Sequence, residues 1–429
     1  AIGNRVRWFS PMQMPRSMPR NTLAVRATHS LTPPCGPWPG LLPRPVKTVA
    51  ANRSGHSHAD QKDMAAVDRA DCLSYHNGMK SPLHLLRRLR QRLHDARRRA
   101  RFAASLQHLH GPSKLDVAPG EVVLIALVRD GSYYLDAFFR HYRAMGVQHF
   151  VFIDNGSRDD TISRIKAQKG TVIDRCTLPL AEYEDLIRQH PAQTYGRNRW
   201  CLYVDMDEIF DFEGRSQIGI KGLTAYLEQQ GYTALMAQML EMFPKTSLAA
   251  AAGVPYKQAL QSFLYYDISA VRKTDYHSPE IPFSALLADN DLSNDAVKFA
   301  FGGVRGKVFG ENCCLTKHPL IFNGPEVTPA PHPHLSCGLR VADMTAVIKH
   351  YKFANDAAAR DAETLGAGNL AHGEDARRMA VIGQNPDVSL FSLDARRWNR
   401  VELLYRAGFL VPSDSYSAHV AAWRDEHAA

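Results

Sequence analysis

Between residues 118 and 243 two hydrophobic rhythms alternate along the chain. "EVVLIALV" at 121–128, "QHFVFID" at 148–154, "TVID" at 171–174 and "WCLYV" at 200–204 are short, nearly continuous apolar runs. Runs of that length, rich in Val, Ile, Phe and Tyr, predict strands buried on both faces. "GSYYLDAFFRHYRAMG" at 131–146 follows the other rhythm. Its Leu135, Phe138, Phe139, Tyr142 and Met145 line one face of a predicted helix that Gly146 ends. A shorter helix is predicted in "TISRIKAQKG" at 161–170. Strand and helix in alternation predict an α/β fold, a Rossmann-like, mostly parallel central sheet flanked by helices.

The texture changes elsewhere. Residues 1–80 are proline-rich, as in "LTPPCGPWPGLLPRPV", with no hydrophobic period, and are expected to be a disordered extension. Residues 81–110 are predicted as a basic amphipathic helix, 118–355 as the α/β domain and 356–429 as a helical C-terminal segment. Within the domain, 180–198 reads as polar and irregular, 232–243 as a strand, and 245–295 as loops with an acceptor-side insertion. Strand-like pieces follow in "GGVRGKVFG", "CLTKHPLIF" and "AVIKHYKF".

Composition narrows the class. An apolar fraction of 45% with 22% charged residues describes an ordinary globular protein, and no apolar run reaches the ~18 residues of a membrane span. Seven scattered cysteines without a C-x-x-C suit reduced thiols and a cytoplasmic setting. The net charge of +9 matters mainly through its placement. In residues 81–102 eight arginines oppose a single Asp95, while Leu86, Leu89, Leu93, Ala96 and Ala100 form one apolar stripe. Such a helix suits the anionic inner face of a membrane or an acidic partner, or packs on its own domain with a solvated face. Nucleic acid is disfavoured, because no aromatic platform or known motif accompanies the arginines.

Chemistry concentrates at predicted strand ends, where α/β sheets bind ligands. "VDMDEIF" places Asp205, Asp207 and Glu208 there, and two carboxylates two residues apart leave an extended chain on one side. Converging carboxylates suit a hard divalent cation, Mn²⁺ or Mg²⁺, which can neutralise a leaving diphosphate. The same spacing recurs at Asp289 and Asp291, in a polar stretch with no strand before it. "FVFIDNGSRDDT" is the second signal. Asp154 ends a strand, at the edge of a nucleotide base or ribose or as part of a plain turn, with Ser157 and Asp159 beside it. Arg305 and Lys307 stand where they can reach a diphosphate, and His350 follows a short strand. His332, His334 and Cys337 lack the paired spacing of a zinc site.

Taken in order, "ALVRDGSYYLDAFFRHYRAMGVQHFVFIDNGSRDDT", "YGRNRWCLYVDMDEIFDF", "GGVRGKVFG", "HPHL" and "IKHYKF" resemble a bacterial family 2-like glycosyltransferase over about residues 120–415. The resemblance implies the GT-A fold, Asp154 on the nucleoside, and Asp205 and Asp207 holding Mn²⁺ or Mg²⁺ with His350 as a further ligand. It also implies a nucleotide-sugar donor, a glycan or lipid-linked acceptor, and inversion at the anomeric carbon. An inverting transfer needs a base for the acceptor proton, for which Glu241 is the first choice and Glu208 and Glu280 are rivals. The Asn-Glu pair common in relatives is replaced by Arg129, Asp130 and Gly131, with Asp130 as the substitute nucleotide contact. Other Mg²⁺-dependent nucleotidyl or phosphoryl transfer, or a degenerate transferase-like module that binds or tethers to a membrane, are the alternatives.

Overall fold

A computed structural model of the chain describes residues 82–367 and 373–427. The extension expected over 1–80 lies outside the described residues. The four apolar runs become the strands Val122–Val128, His149–Asp154, Thr171–Arg175 and Trp200–Tyr203. They pair in parallel, with His149–Asp154 and Trp200–Tyr203 on either side of Val122–Val128 and Thr171–Arg175 outside His149–Asp154. All four are almost wholly buried, because helices cover the sheet and leave no solvated face. Leu135–Ala144 is one of those helices and buries Leu135, Phe138, Phe139 and Tyr142. Gly146, at φ 104°, turns the chain out of it in a conformation that side chains other than glycine's resist.

Beyond Trp200–Tyr203 the sheet continues with an antiparallel strand, Thr316–Phe322. Next come Ala234–Glu241, antiparallel to it, and Arg340–His350, parallel to Ala234–Glu241. Glu208–Asp211 adds antiparallel pairing along Arg340–His350. The architecture is a mixed α/β sheet, mostly parallel, with a helical C-terminal end. No helix among the described residues is long and apolar enough to cross a membrane.

Three segments depart from expectation. Residues 180–198 contain a helix, Leu180–Tyr195, which buries Tyr183, Ile187, Pro191, Ala192 and Tyr195 at roughly four-residue spacing. Pro191, a residue that opposes helix interiors, hides that rhythm in the sequence. "GGVRGKVFG" is a helix too, Gly303–Phe309, because Gly302 and Gly303 at positive φ turn the preceding strand straight into it. The basic helix ends at Ser105, and Gln107–His110 is instead a strand on the sheet edge beside Thr171–Arg175.

Thr316–Phe322 carries a buried His318 whose neighbours fix its tautomer. The Ser336 N–H donates to Nδ1 at 3.3 Å, so Nε2 bears the proton and faces the Tyr276 hydroxyl at 3.1 Å. Burial pushes the His318 pKa down to about 4. The unfolded chain takes up this proton near pH 6.5 and the folded chain only near 4, so stability falls as pH drops through that window. Urea unfolding of His318→Gln against wild type at neutral pH and near pH 5 is expected to show a shallower acid loss in the variant. The difference is as much as about 2 kcal/mol, and parallel losses in the two proteins would contradict the buried neutral state.

Candidate functional site

Strand register assembles the site. His350 sits level with Glu241 on one neighbouring strand and with Glu208 on the other. Residues far apart in the chain thereby meet at the carboxyl end of the parallel strands. A cleft of about 380 Å³ opens there. Asp205, Asp207 and Glu208 line it from the end of Trp200–Tyr203, and His350 and Lys352 from the end of Arg340–His350. Arg129, Arg188, Lys317 and Arg360 complete a cationic wall.

Two ion-paired groups sit side by side. In the first, Asp205 accepts Arg188 at 3.2 Å on Oδ1 and Lys317 at 3.0 Å on Oδ2. Glu208 also accepts Lys317, and its Oε2 accepts the Asp205 backbone N–H at 2.9 Å. Burial opposes the Asp205 charge, but Arg188 and Lys317 hold its carboxyl far below the usual carboxylate range. Burial alone would lower the Lys317 pKa, and the facing Asp205 and Glu208 raise it instead. The deeply buried Glu208 carboxyl is pushed up by burial.

In the second group, His350 Nδ1 lies 2.9 Å from Glu241 Oε1, and Nε2 lies 3.5 Å from Asp207 Oδ2. Burial favours neutral imidazole, yet Glu241 and Asp207 raise the His350 pKa to about 9. His350, followed by Arg360, holds Asp207 well below the ordinary value against the cost of burial. This second group has the form of a metal half-site: a carboxylate and an imidazole close enough to share one ion, with an outer carboxylate orienting the imidazole. Asp205 fits a ligand role less well, since cations occupy both of its oxygens. Among the described residues no three His, Cys, Asp or Glu converge as a complete metal cage. Two protein ligands do suffice for Mg²⁺ or Mn²⁺ when substrate phosphates complete the shell.

The other predicted site residues are arranged differently. Asp154 is fully buried and folds back on its own turn. Its oxygens accept the Gly156 and Ser157 N–H groups at 3.2 and 3.0 Å and Arg175 at 2.6 Å. Asp130 accepts the Arg158 and Asp159 N–H groups, Ser157 accepts the Asp130 N–H, and Asp159 caps Thr161. These four residues brace two strand-end loops against each other, while their neighbours Arg129 and Asn155 line the cleft. Arg305 is buried away from the cleft among Glu241, Glu311 and Glu374. Glu241 sits on a strand interior to the sheet, and its Oε1 serves both His350 and Arg305.

Sequence reading missed Arg188, Lys317, Lys352 and Arg360. Lys317 had a visible signal, a lysine inside the apolar strand "TKHPLIF", where a buried ammonium demands carboxylate partners. Arg188 was hidden by the unrecognised helix around Pro191.

No family model and no curated protein matches the chain. Among solved structures it is similar to S. aureus TarS 1–349, at TM-score 0.22 and 12% identity over 30% of this chain and 42% of that one. A second structure, of S. aureus TarS, gives TM-score 0.21 and 13% identity, covering 31% of this chain and 27% of that one. The chain thus matches less than half the length of either. UDP-glucose pyrophosphorylase complexed with UDP-glucose gives TM-score 0.21 and 9% identity over 72% of this chain and 99% of that one. Likeness at this level carries no functional weight.

Proposed function

We propose that the chain is a glycosyltransferase of GT-A type. It moves a sugar, with inversion and with Mn²⁺ or Mg²⁺, from a nucleoside-diphosphate donor to a hydroxyl on a glycan, lipid or polysaccharide precursor. One observation carries this reading: a cationic cleft at the strand ends lined by Asp207 and His350, with the buried Glu241 behind the imidazole. A doubly charged diphosphate is the ligand such a wall suits, and a cation at Asp207 and His350 has a place beside it. When bound, that cation supplies charge neutralisation on the leaving nucleoside diphosphate.

The chain's own residues do the rest. Arg129, Arg188, Lys317, Lys352 and Arg360 line the cleft and place positive charge beside the diphosphate. Donors fixed in place before the reaction stabilise developing charge without reorganising. Glu241 acts on His350 and not on the acceptor, so it is a positioning residue in this reading. Glu208 straps Lys317 to the Asp205 backbone and also lines the cleft, and it keeps the role of base for the acceptor proton.

The reading is tested by incubating the purified chain with UDP-, GDP- and dTDP-sugars with and without Mn²⁺. Metal-dependent nucleotide release from at least one donor is expected; neither release nor metal-dependent donor binding across the panel refutes it. Glu241→Gln separates the two roles of that carboxylate. As the partner of a metal-ligating histidine it costs about 10–100-fold in Mn²⁺ affinity, with turnover recovering at saturating Mn²⁺. A loss of turnover that excess Mn²⁺ leaves untouched would restore Glu241 as the acceptor's base.

A further inference from the structure

The helix Pro82–Ser105 has two working faces, and the domain uses one of them. Arg98 reaches the helix Leu180–Tyr195, pairing with Asp185 and donating to the Glu182 carbonyl, while Phe102 is buried. Ser105 Oγ lies 3.2 Å from Cys176 Sγ, closing the same contact. Leu89 and Leu93 stand nine residues before Arg98 and Phe102, which is two and a half turns at 3.6 residues per turn. They therefore point directly away from the docked side. Leu86, one near-integral pair of turns before Leu93, joins them. Leu86, Leu89 and Leu93 are 52%, 54% and 51% exposed, the three most N-terminal of the large hydrophobics left exposed on the described surface.

Cations flank this leucine row. Arg90 and Arg97 lie along one side of it and Arg92 and Arg99 along the other, all exposed. The only acidic residue on the helix, Asp95, is half-buried on the domain side and accepts a hydrogen bond from Gln91. At the docked end Arg97, Arg101 and Tyr183 line an open hollow of about 480 Å³.

We infer that the leucine face of Pro82–Ser105 is a docking surface for an anionic lipid bilayer. An apolar row between two arginine rows places methyl groups among acyl chains and guanidinium groups at the phosphate level. A second copy of the chain suits it poorly, because opposed helices would set arginine against arginine with no acid to answer. Nucleic acid gives the leucines no role. The anchored C-terminal half of the helix holds the domain above the bilayer in a fixed pose, and the inference is independent of the reaction assigned to the cleft.

Sedimentation of the full chain with phosphatidylcholine vesicles, with and without phosphatidylglycerol, tests this. Binding to the anionic vesicles only is expected, and raising salt weakens it. The Leu86→Gln, Leu89→Gln, Leu93→Gln triple variant is expected to bind at least ~10-fold more weakly with a nearly unchanged thermal melt, since these half-exposed side chains belong to none of the buried clusters of the described residues. Arg90→Gln, Arg92→Gln, Arg97→Gln and Arg99→Gln together give a similar loss. Equal binding to both vesicle types, binding to neither, or an unimpaired leucine variant overturns the inference. So does a dimer that the leucine substitutions disperse, which assigns the face to a second copy.

Discussion

Asp207→Asn is expected to lower Mn²⁺-dependent nucleotide release by about 10³-fold while leaving the thermal melt within a few degrees of wild type. The asparagine keeps the volume and one acceptor oxygen but removes the charge beside His350. A divalent cation bound by one imidazole and a neutral amide loses most of its hold, and with it goes neutralisation of the leaving diphosphate, worth several kcal/mol. Folding is affected less, because Asp207 is partly exposed and its loss frees no buried cation: His350 keeps Glu241 at 2.9 Å. The control is built into the chain. Asp289 and Asp291 have the same spacing, but both are exposed and outside the cleft's lining, so changing them to asparagine leaves release unaltered. Retention of more than a tenth of the release by Asp207→Asn, or an equal loss in the Asp289 and Asp291 variant, would sink the metal assignment.

Asp207 was legible in the sequence for a reason that does not extend to its partners. A buried run such as "WCLYV" ending in carboxylates is a local signal: hydrophobic rhythm gives the strand and α/β topology gives the end where ligands bind. What neighbours those carboxylates depends on register between distant strands. Glu208, His350 and Glu241 share one row of the sheet through pairings that no local pattern encodes. Asp154 illustrates the reverse. Its position at a strand end was correctly read, but a one-residue difference decides whether a side chain enters the cleft or turns back to cap its own loop. Asn155 lines the cleft and Asp154 holds Arg175. "GGVRGKVFG" failed more simply: it reads as strand-like because its glycines disfavour a helix by propensity, whereas here they permit a sharp strand-to-helix turn.

The C-terminal segment was readable as helical but not as part of the site. Its helices Ala357–Ala367 and Glu374–Gln384 bring Arg360 to the cleft wall and lock onto the domain through buried charges. Arg378 is the centre of that lock. It pairs with Asp361 at 2.6 and 3.0 Å, with Glu311 at 2.8 Å and with Asp375, all out of water. Glu311 in turn holds Arg305, which touches Glu241, so the same chain of charges runs on to His350.

Arg378→Met is therefore expected to cost about 3–5 kcal/mol of unfolding free energy, measured by urea denaturation. The methionine fills part of the volume, but Glu311, Asp361 and Asp375 are left without the cation that makes their burial tolerable. Those carboxylates must then protonate, take in water or move apart, and each outcome loosens both helices. Arg378→Lys restores little, because one ammonium cannot reproduce a planar fork that engages carboxylates on three sides. Replacing the lock as a unit is the decisive comparison. Arg378→Met combined with Glu311→Gln, Asp361→Asn and Asp375→Asn removes the stranded charges, and it is expected to recover part of what the single change loses. If the single variant unfolds at the wild-type urea concentration, the network is not what holds the C-terminal helices over the cleft. If it is destabilised and the combined variant is worse still, the arginine acts through packing and not through charge.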